Sequence, residues 1–247
     1  MFKAFAVAAA LSVTAVGAAQ AVPVQYQNFS ALPSATFGGS GIPNDPAAWS
    51  QFTNSANGDV LTLGLIATQR FFNPPLTNDG AGTYTAQVGS NTGGPGSPSS
   101  LTGALWNFSY YAALETGVGS TLADYGIELR YDFDPAFNNT LGDLGTLTTG
   151  ALPFLSTVNA TGTVLQGSQN LLFNFLSQPV SGFVAPPSGV STFDPNAAGE
   201  YSFVLNSTLG AVSMNVNVVP LPVAAPMLIS AFAVWGLMAR RRRASAV

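Results

Sequence analysis

The chain has 247 residues, only 7% of them charged, with no His and no Cys. It is polar through Ser, Thr, Asn and Gln rather than through charge, and its 26 Gly and 17 Pro favour a turn-rich β protein over a helical bundle. The missing residue types exclude disulfide frameworks, thiol nucleophiles, His general bases and Cys or His metal ligands, and so leave most hydrolases, zinc enzymes and dehydrogenases without their working groups.

Residues 1–21 read as a signal peptide. Lys3 supplies a short positive start, Ala4 to Val16 is an apolar run of the right length, and Ala19-Gln20-Ala21 is an A-x-A cleavage site. A cut after Ala21 makes Val22 the first residue of an exported body that runs to Val219.

Within the body, alternation with a period of two recurs. Leu61, Leu63 and Leu65 share one face in 58–69. Trp106, Phe108 and Tyr110 share one face in 101–114, with Tyr111 on the other; the aromatics favour strand there, although Leu101, Leu105, Phe108 and Ala112 also fit a helix. Between them, 89–100 (GSNTGGPGSPSS) reads as a flexible loop. Ile127, Leu129, Tyr131 and Phe133 alternate with Glu128, Arg130, Asp132 and Asp134, the pattern of a half-buried strand. The apolar run 169–176 reads as a central strand. Tyr201, Phe203 and Leu205, and then Val212, Met214, Val216 and Val218, close the body with two further alternating strands. Gly, Pro and Asn turns separate the segments. The expected fold is therefore all-β, a single antiparallel β-sandwich of immunoglobulin-like or jelly-roll-like type. Ala197-Ala198-Gly199-Glu200-Tyr201 resembles the tyrosine corner of immunoglobulin-like sandwiches.

Residues 219–247 form a third unit. Val219-Pro220-Leu221-Pro222 opens it, Leu221 to Ala239 carries no charge, and Arg240, Arg241, Arg242 and Arg243 follow, four of the chain's seven Lys and Arg. As a helix, the uncharged stretch rises about 28 Å, close to the roughly 30 Å hydrocarbon core of a bilayer. The arginines are a stop-transfer and positive-inside signal that holds the extreme C-terminus in the cytoplasm. The body between the two ends keeps only Arg70 and Arg130 against all eleven acids, a net charge of −9 that offers no electrostatic footprint for nucleic acid.

Signal peptide, short Pro motif, apolar span and terminal Arg cluster, in that order, resemble the tripartite architecture of the PEP-CTERM class of exosortase substrates. The tail is most similar to the variant whose motif reads V-P-L-P-A, with Val223 here in the fifth position and no Glu between the prolines. The resemblance covers the last 28 or so residues. It implies a partner, an integral-membrane exosortase acting as protease or transpeptidase, that cuts near the Pro motif after a transient single-span stay in the inner membrane. The body then goes to the cell surface or extracellular matrix. A plain single-pass anchor is the other reading of the same residues. The segment Phe193 to Tyr201 also resembles one that precedes the last strands in secreted proteins of this class.

Candidate chemistry in the body is sparse. Asp132 and Asp134, at i and i+2, either hold Ca²⁺ at a strand end or form a solvated strand face beside Arg130. A glycosidase pair needs one carboxyl protonated in an apolar pocket, which an exposed alternating strand does not provide. Trp49, Trp106, Tyr110 and Tyr111 form either a sugar-stacking platform or core packing. Five N-x-[ST] sequons begin at Asn28, Asn107, Asn138, Asn159 and Asn206, which chance explains in a chain this rich in Asn, Ser and Thr. No phosphate loop, dinucleotide fingerprint or nucleophile elbow occurs. The expected function is that of a non-enzymatic surface or matrix protein without a cofactor. The rival readings are a carbohydrate-binding module of envelope or exopolysaccharide, a simple anchored surface protein and, last, an enzyme.

Overall fold

A computed structural model describes residues 22–71, 74–93, 98–136, 139–148, 157–159 and 161–220. In chain order the strands are β1 (Asn28–Ser30), β2 (Ala47–Thr53), β3 (Val60–Gln69), β4 (Thr77–Asn78), β5 (Thr83–Gln87), β6 (Ser90–Asn91), β7 (Gly103–Ala104), β8 (Trp106–Glu115), β9 (Glu128–Tyr131), β10 (Gly145–Leu147), β11 (Thr157–Val158), β12 (Val164–Gln169), β13 (Val184–Ala185), β14 (Gly199–Asn206) and β15 (Ala211–Val219). Helical structure among the described residues is confined to three one-turn 3₁₀ segments, Ser99–Leu101, Leu122–Tyr125 and Asn174–Ser177. The chain is all-β over the residues described.

The strands form two large sheets. One has the order β1-β2-β3-β8-β12-β11, and the other β13-β10-β9-β14-β15-β5-β4. β3 and β8 pair along their whole length, from Val60 opposite Glu115 to Gln69 opposite Trp106. The first sheet is antiparallel throughout. The second is mixed, because β15 runs parallel to β5, with Val216 opposite Tyr84 and Val219 opposite Gln87. This corrects the purely antiparallel expectation. A parallel neighbour needs a long connection, and here about half of the chain lies between β5 and β15. A short ladder, β6 with β7, orders part of the 89–100 stretch that composition alone marks as loop.

The inner faces carry the alternation read from sequence. Leu61, Leu63 and Leu65 of β3, Phe108 and Tyr110 of β8, Phe203 and Leu205 of β14 and Val212, Met214 and Val216 of β15 are fully buried in one core. Phe108 and Phe203, from opposite sheets, stack at 4.6 Å between ring centroids. Burial of each large aliphatic side chain contributes roughly 1.5–3 kcal/mol. The outer face of β3 and β8 is buried as well, because residues 31–42 fold over it. Phe37 packs edge-on against Tyr111 at 6.4 Å, and the Thr36 amide donates to Gln166 Oε1 at 2.9 Å. A side chain at Gly64 would strike Leu32, so this position in mid-strand must stay small.

The 169–176 run is not a central strand. β12 stops at Gln169, and the fully buried Asn170 turns the chain. Its Oδ1 accepts from the amides of Ala104 (2.8 Å) and Leu172 (3.1 Å), and its Nδ2 donates to the Trp106 carbonyl at 2.7 Å. One side chain thus does the pairing that a continued backbone ladder would have done. The tyrosine-corner reading has a local counterpart: the Tyr201 hydroxyl donates to the Ala197 carbonyl, four residues upstream, at 3.0 Å.

Candidate functional site

The two ends of the body meet on β15. The Gln25 amide donates to Ser213 Oγ at 2.6 Å, Ser213 Oγ donates to the Pro23 carbonyl at 2.8 Å, and Asn215 Nδ2 reaches the Val22 carbonyl at 3.4 Å. Val22 itself is buried against Leu144 and Val204. At the other end of the strand, Val219 is still in the sheet: its carbonyl accepts from the Val88 amide at 3.0 Å. Pro220 is exposed. Of the sorting motif, Val219 and Pro220 are therefore placed, with no spacer between the last strand and the first proline. Leu221 and Pro222, the stop-transfer residues Arg240 to Arg243 and the signal-cleavage residues Ala19 and Ala21 lie outside the described residues. Among the described residues no helix is long and apolar enough to cross a membrane.

Asp132 and Asp134 do not form the solvated strand face that alternation suggests. β9 ends at Tyr131, and the Asp132 carboxylate, 2% exposed, turns inward. Its Oδ1 accepts from the Asp134 amide (2.9 Å), and its Oδ2 accepts from Asn139 Nδ2 (2.9 Å) and the Ser202 amide (3.4 Å). Asp134 instead accepts from the Ala136 amide at 3.0 Å, two consecutive side-chain turns that shape the loop after β9. Burial pushes the Asp132 carboxyl up to about 6, against the pull of these donors and with a smaller push from the charge of Asp134. The group joins the end of β9, the 139 loop and β14, and its oxygens are taken up by protein donors rather than turned outward with Asp134 toward a shared cation. Among the described residues no three acidic side chains converge on one point.

The aromatic platform is also corrected. Trp106 and Tyr110 point between the sheets and are 2% and 0% exposed. Trp106 meets Phe203 and Phe193 edge-on at 5.9 and 6.2 Å. Tyr111 lies under the 31–42 segment. Trp49, on β2, is half-buried, and its Nε1 reaches Ser30 Oγ at 3.3 Å. The four rings do not share a surface, because alternation sends Trp106 and Tyr110 into the core and Tyr111 to the opposite face.

Sequence reasoning missed a different aromatic set. At the end of β3, the Arg70 side chain is 5% exposed and held between two rings, Phe71 at 4.6 Å and Phe173 at 5.4 Å from the guanidinium carbon. Its Nη2 donates to the Leu101 carbonyl at 2.6 Å, while Nε has no partner. A side chain on Gly103 would collide with the guanidinium. Burial lowers the Arg70 pKa, yet a guanidinium stays charged at neutral pH. Phe71 is 42% exposed and has φ of +68°, an uncommon conformation for a bulky side chain. Phe173 also lines, with Ser99, Thr102, Leu172, Asn174 and Phe175, a groove of about 470 Å³. The sequence signal was slight: Arg70 next to Phe71, and Phe173 two residues before Phe175.

A second groove, of about 540 Å³, lies on the outer face of the mixed sheet between the Val22–Gln25 segment and Leu141. Its one cation, Arg130, is committed to Glu128 at 2.7 Å and to the Leu141 carbonyl at 2.9 Å. Comparison with family profiles, with curated proteins and with solved structures returns no match for this chain.

Proposed function

We propose that the chain is a non-enzymatic surface or extracellular-matrix protein. Its body is a single β-sandwich of immunoglobulin-like or jelly-roll-like type, exported by the 1–21 signal peptide. Its 219–247 tail spans the inner membrane in transit and is cut by an exosortase-type enzyme. The observation that carries this reading is the order Pro motif, uncharged run and Arg cluster, beginning at the residue where the last strand ends. Two features support it. Val22, the expected first residue after cleavage, is already packed against β15. Pro220 follows Val219 directly and is exposed, and a proline there has no N–H with which to extend the ladder.

The test is the intact mass and membrane partition of the surface fraction, in a host that carries the matching sorting enzyme. Wild type is expected to start at Val22 and to have lost its tail. Replacing Pro220 and Pro222 by Ala leaves a membrane-held, uncut chain, and replacing Arg240 to Arg243 by Ser leaves secretion intact but abolishes tail removal. A wild-type chain that keeps its tail in that host is only anchored, and the sorting reading fails.

A further inference from the structure

We propose that the end of the sandwich from which the tail leaves rests on the outer face of the bilayer, with Phe71, Leu101, Phe173 and Phe175 in the headgroup layer. This contact rests on 221–239 spanning the bilayer, as in the reading above, whether the tail is later cut or stays as an anchor.

Backbone bonds place these residues at the tail's exit. The Val219 carbonyl accepts from the Val88 amide at 3.0 Å, the Gly89 carbonyl from the Leu105 amide at 3.2 Å, and the Leu105 carbonyl from the Arg70 amide at 2.9 Å. Gln69, Leu105, Trp106 and Val219 line one cleft. The Arg70 side chain gathers the apolar residues beside that cleft. Phe71 and Phe173 flank its guanidinium, Nη2 donates to the Leu101 carbonyl, and Phe175 lies 6.1 Å from Phe173. Phe71 and Leu101 are 42% and 43% exposed, and Phe173 and Phe175 are half-buried. Large apolar residues gathered at one place on a surface mark a contact. The guanidinium, closed in behind them, braces the rings and takes no part in the contact.

The length of the connection says what covers them. Val219 is bonded within the sheet, and the uncharged run begins at Leu221. Two residues reach at most about 7 Å, and the headgroup layer on each side of a bilayer is about 5–8 Å thick. A body tethered so closely does not stand clear of lipid. Phe and Leu side chains gain by entering the boundary between headgroups and acyl chains. The segments that form the apolar spot, 69–78, 98–114 and 164–178, contain Arg70 and no Asp or Glu, so no carboxylate is dehydrated with them. Asp134, Asp194 and Glu200 also lie toward this end, but around the mixed sheet. It is therefore the corner of the antiparallel sheet that meets the lipid. The contact is apolar and asks for no anionic lipid from a body of net charge −9. The other end of the sandwich is remote: β8 runs from Trp106 to Glu115, about 30 Å at strand rise, and Val118 lies beyond it, 64% exposed.

The chain has no Cys, so a single introduced thiol carries a fluorophore at a chosen place. The full chain, with its tail, is purified from the membranes of a host without the sorting enzyme and reconstituted in phosphatidylcholine nanodiscs. Ser99→Cys reports the apolar spot, Val118→Cys the far end and Ser230→Cys the middle of the span. Quenchers are nitroxide lipids, labelled at the headgroup or deep in the acyl chain, and aqueous iodide. The Ser99 label is expected to lose fluorescence to headgroup nitroxide, the Val118 label to iodide only, and the Ser230 label to the deep nitroxide. Phe71→Gln with Leu101→Gln, both at exposed positions, should reduce the headgroup quenching at Ser99 and leave Ser230 unchanged. A Ser230 label in lipid with a Ser99 label open to iodide overturns the bilayer contact while the span stands. A Ser230 label open to iodide removes the span, and the contact with it. A Ser99 label shielded from all three quenchers lies against a second copy of the chain, and a Val118 label quenched by headgroup nitroxide as strongly as Ser99 means that the body lies flat; either result overturns the proposal. If circular dichroism shows that the double variant does not fold, the three labels in the otherwise unchanged chain decide alone.

Discussion

Arg70 follows β3 and Asp132 follows β9, so each charge sits just past the end of a strand, and each is almost fully buried. Their surroundings differ. Asp132 receives three donors, two of them backbone amides, and becomes a joint between β9, the loop that follows it and β14. Arg70 receives one carbonyl and two rings, and one of its donors is left over. Desolvation weighs on both, but only the carboxylate is answered from within the fold. The lesson is that burial of a charge alone does not identify a functional group. The tally of partners around it separates a charge that is answered from within the fold from one that is not.

The largest expected effect breaks the joint. Asp132→Ala takes the acceptor from the Asp134 and Ser202 amides and leaves Asn139 Nδ2 only the Asp134 carbonyl, and unsatisfied buried donors cost about 1–3 kcal/mol each. Chemical denaturation should show a loss of about 3 kcal/mol or more.

The second prediction uses pH. The Asp132 carboxyl binds its proton near 6 in the folded chain, against 3.8 for an ordinary Asp, so folding takes up a proton between those values. Its contribution is fully present below about pH 4 and is lost as pH rises through 6, by at most about 3 kcal/mol. Asp143 acts in the opposite sense. Hydrogen bonds from Thr140 hold its carboxyl below the ordinary value, so its contribution is lost as pH falls below about 4. Thermal stability should therefore be greatest between about pH 4 and 5, and Asp132→Asn should flatten the decline from 4 to 6. A wild-type stability that is level across that window would show that Asp132 is not desolvated as described.

The smallest effect sharpens the contrast. Arg70→Met keeps the length and apolar stem while removing the charge, and exchanging a poorly paired buried ion for an apolar group is often neutral. Denaturation should shift by less than about 1 kcal/mol. A loss as large as that of Asp132→Ala would make Arg70 a structural charge like its counterpart.

Much of the sheet structure was readable in advance because the side-chain period of a strand is a local property. β8, β9, β14 and β15 fall within the alternating segments, and Tyr201 makes the local bond that its Ala-Ala-Gly-Glu context suggests. What could not be read depends on distant chain. Tyr111 is buried because residues 31–42 lie over it, and that segment has no period. Asp132 is buried because Asn139 and Ser202 close around it. The 169–176 run looked like a strand because its apolar residues are consecutive, and only the position of Ala104 and Trp106 shows why Asn170 ends the ladder. Arg70 had no pattern at all, since a lone arginine beside a phenylalanine is common, and its meaning lies in what is missing around it.

The placing of β15 has a mechanical consequence. The strand is bonded on both sides, to β14 from Gly199–Val218 to Asn206–Ala211 and to β5 from Asn215 to Val219, and the chain leaves it at Val219. A tail held in a membrane or fixed to a matrix pulls on the body at that point. A pull along the strand loads both ladders in shear, so that many bonds must fail together, whereas an edge strand drawn sideways would unzip one bond at a time. Resistance to force is set by the rate of unfolding rather than by equilibrium stability, and this geometry raises the barrier at the point where an attached protein carries its load.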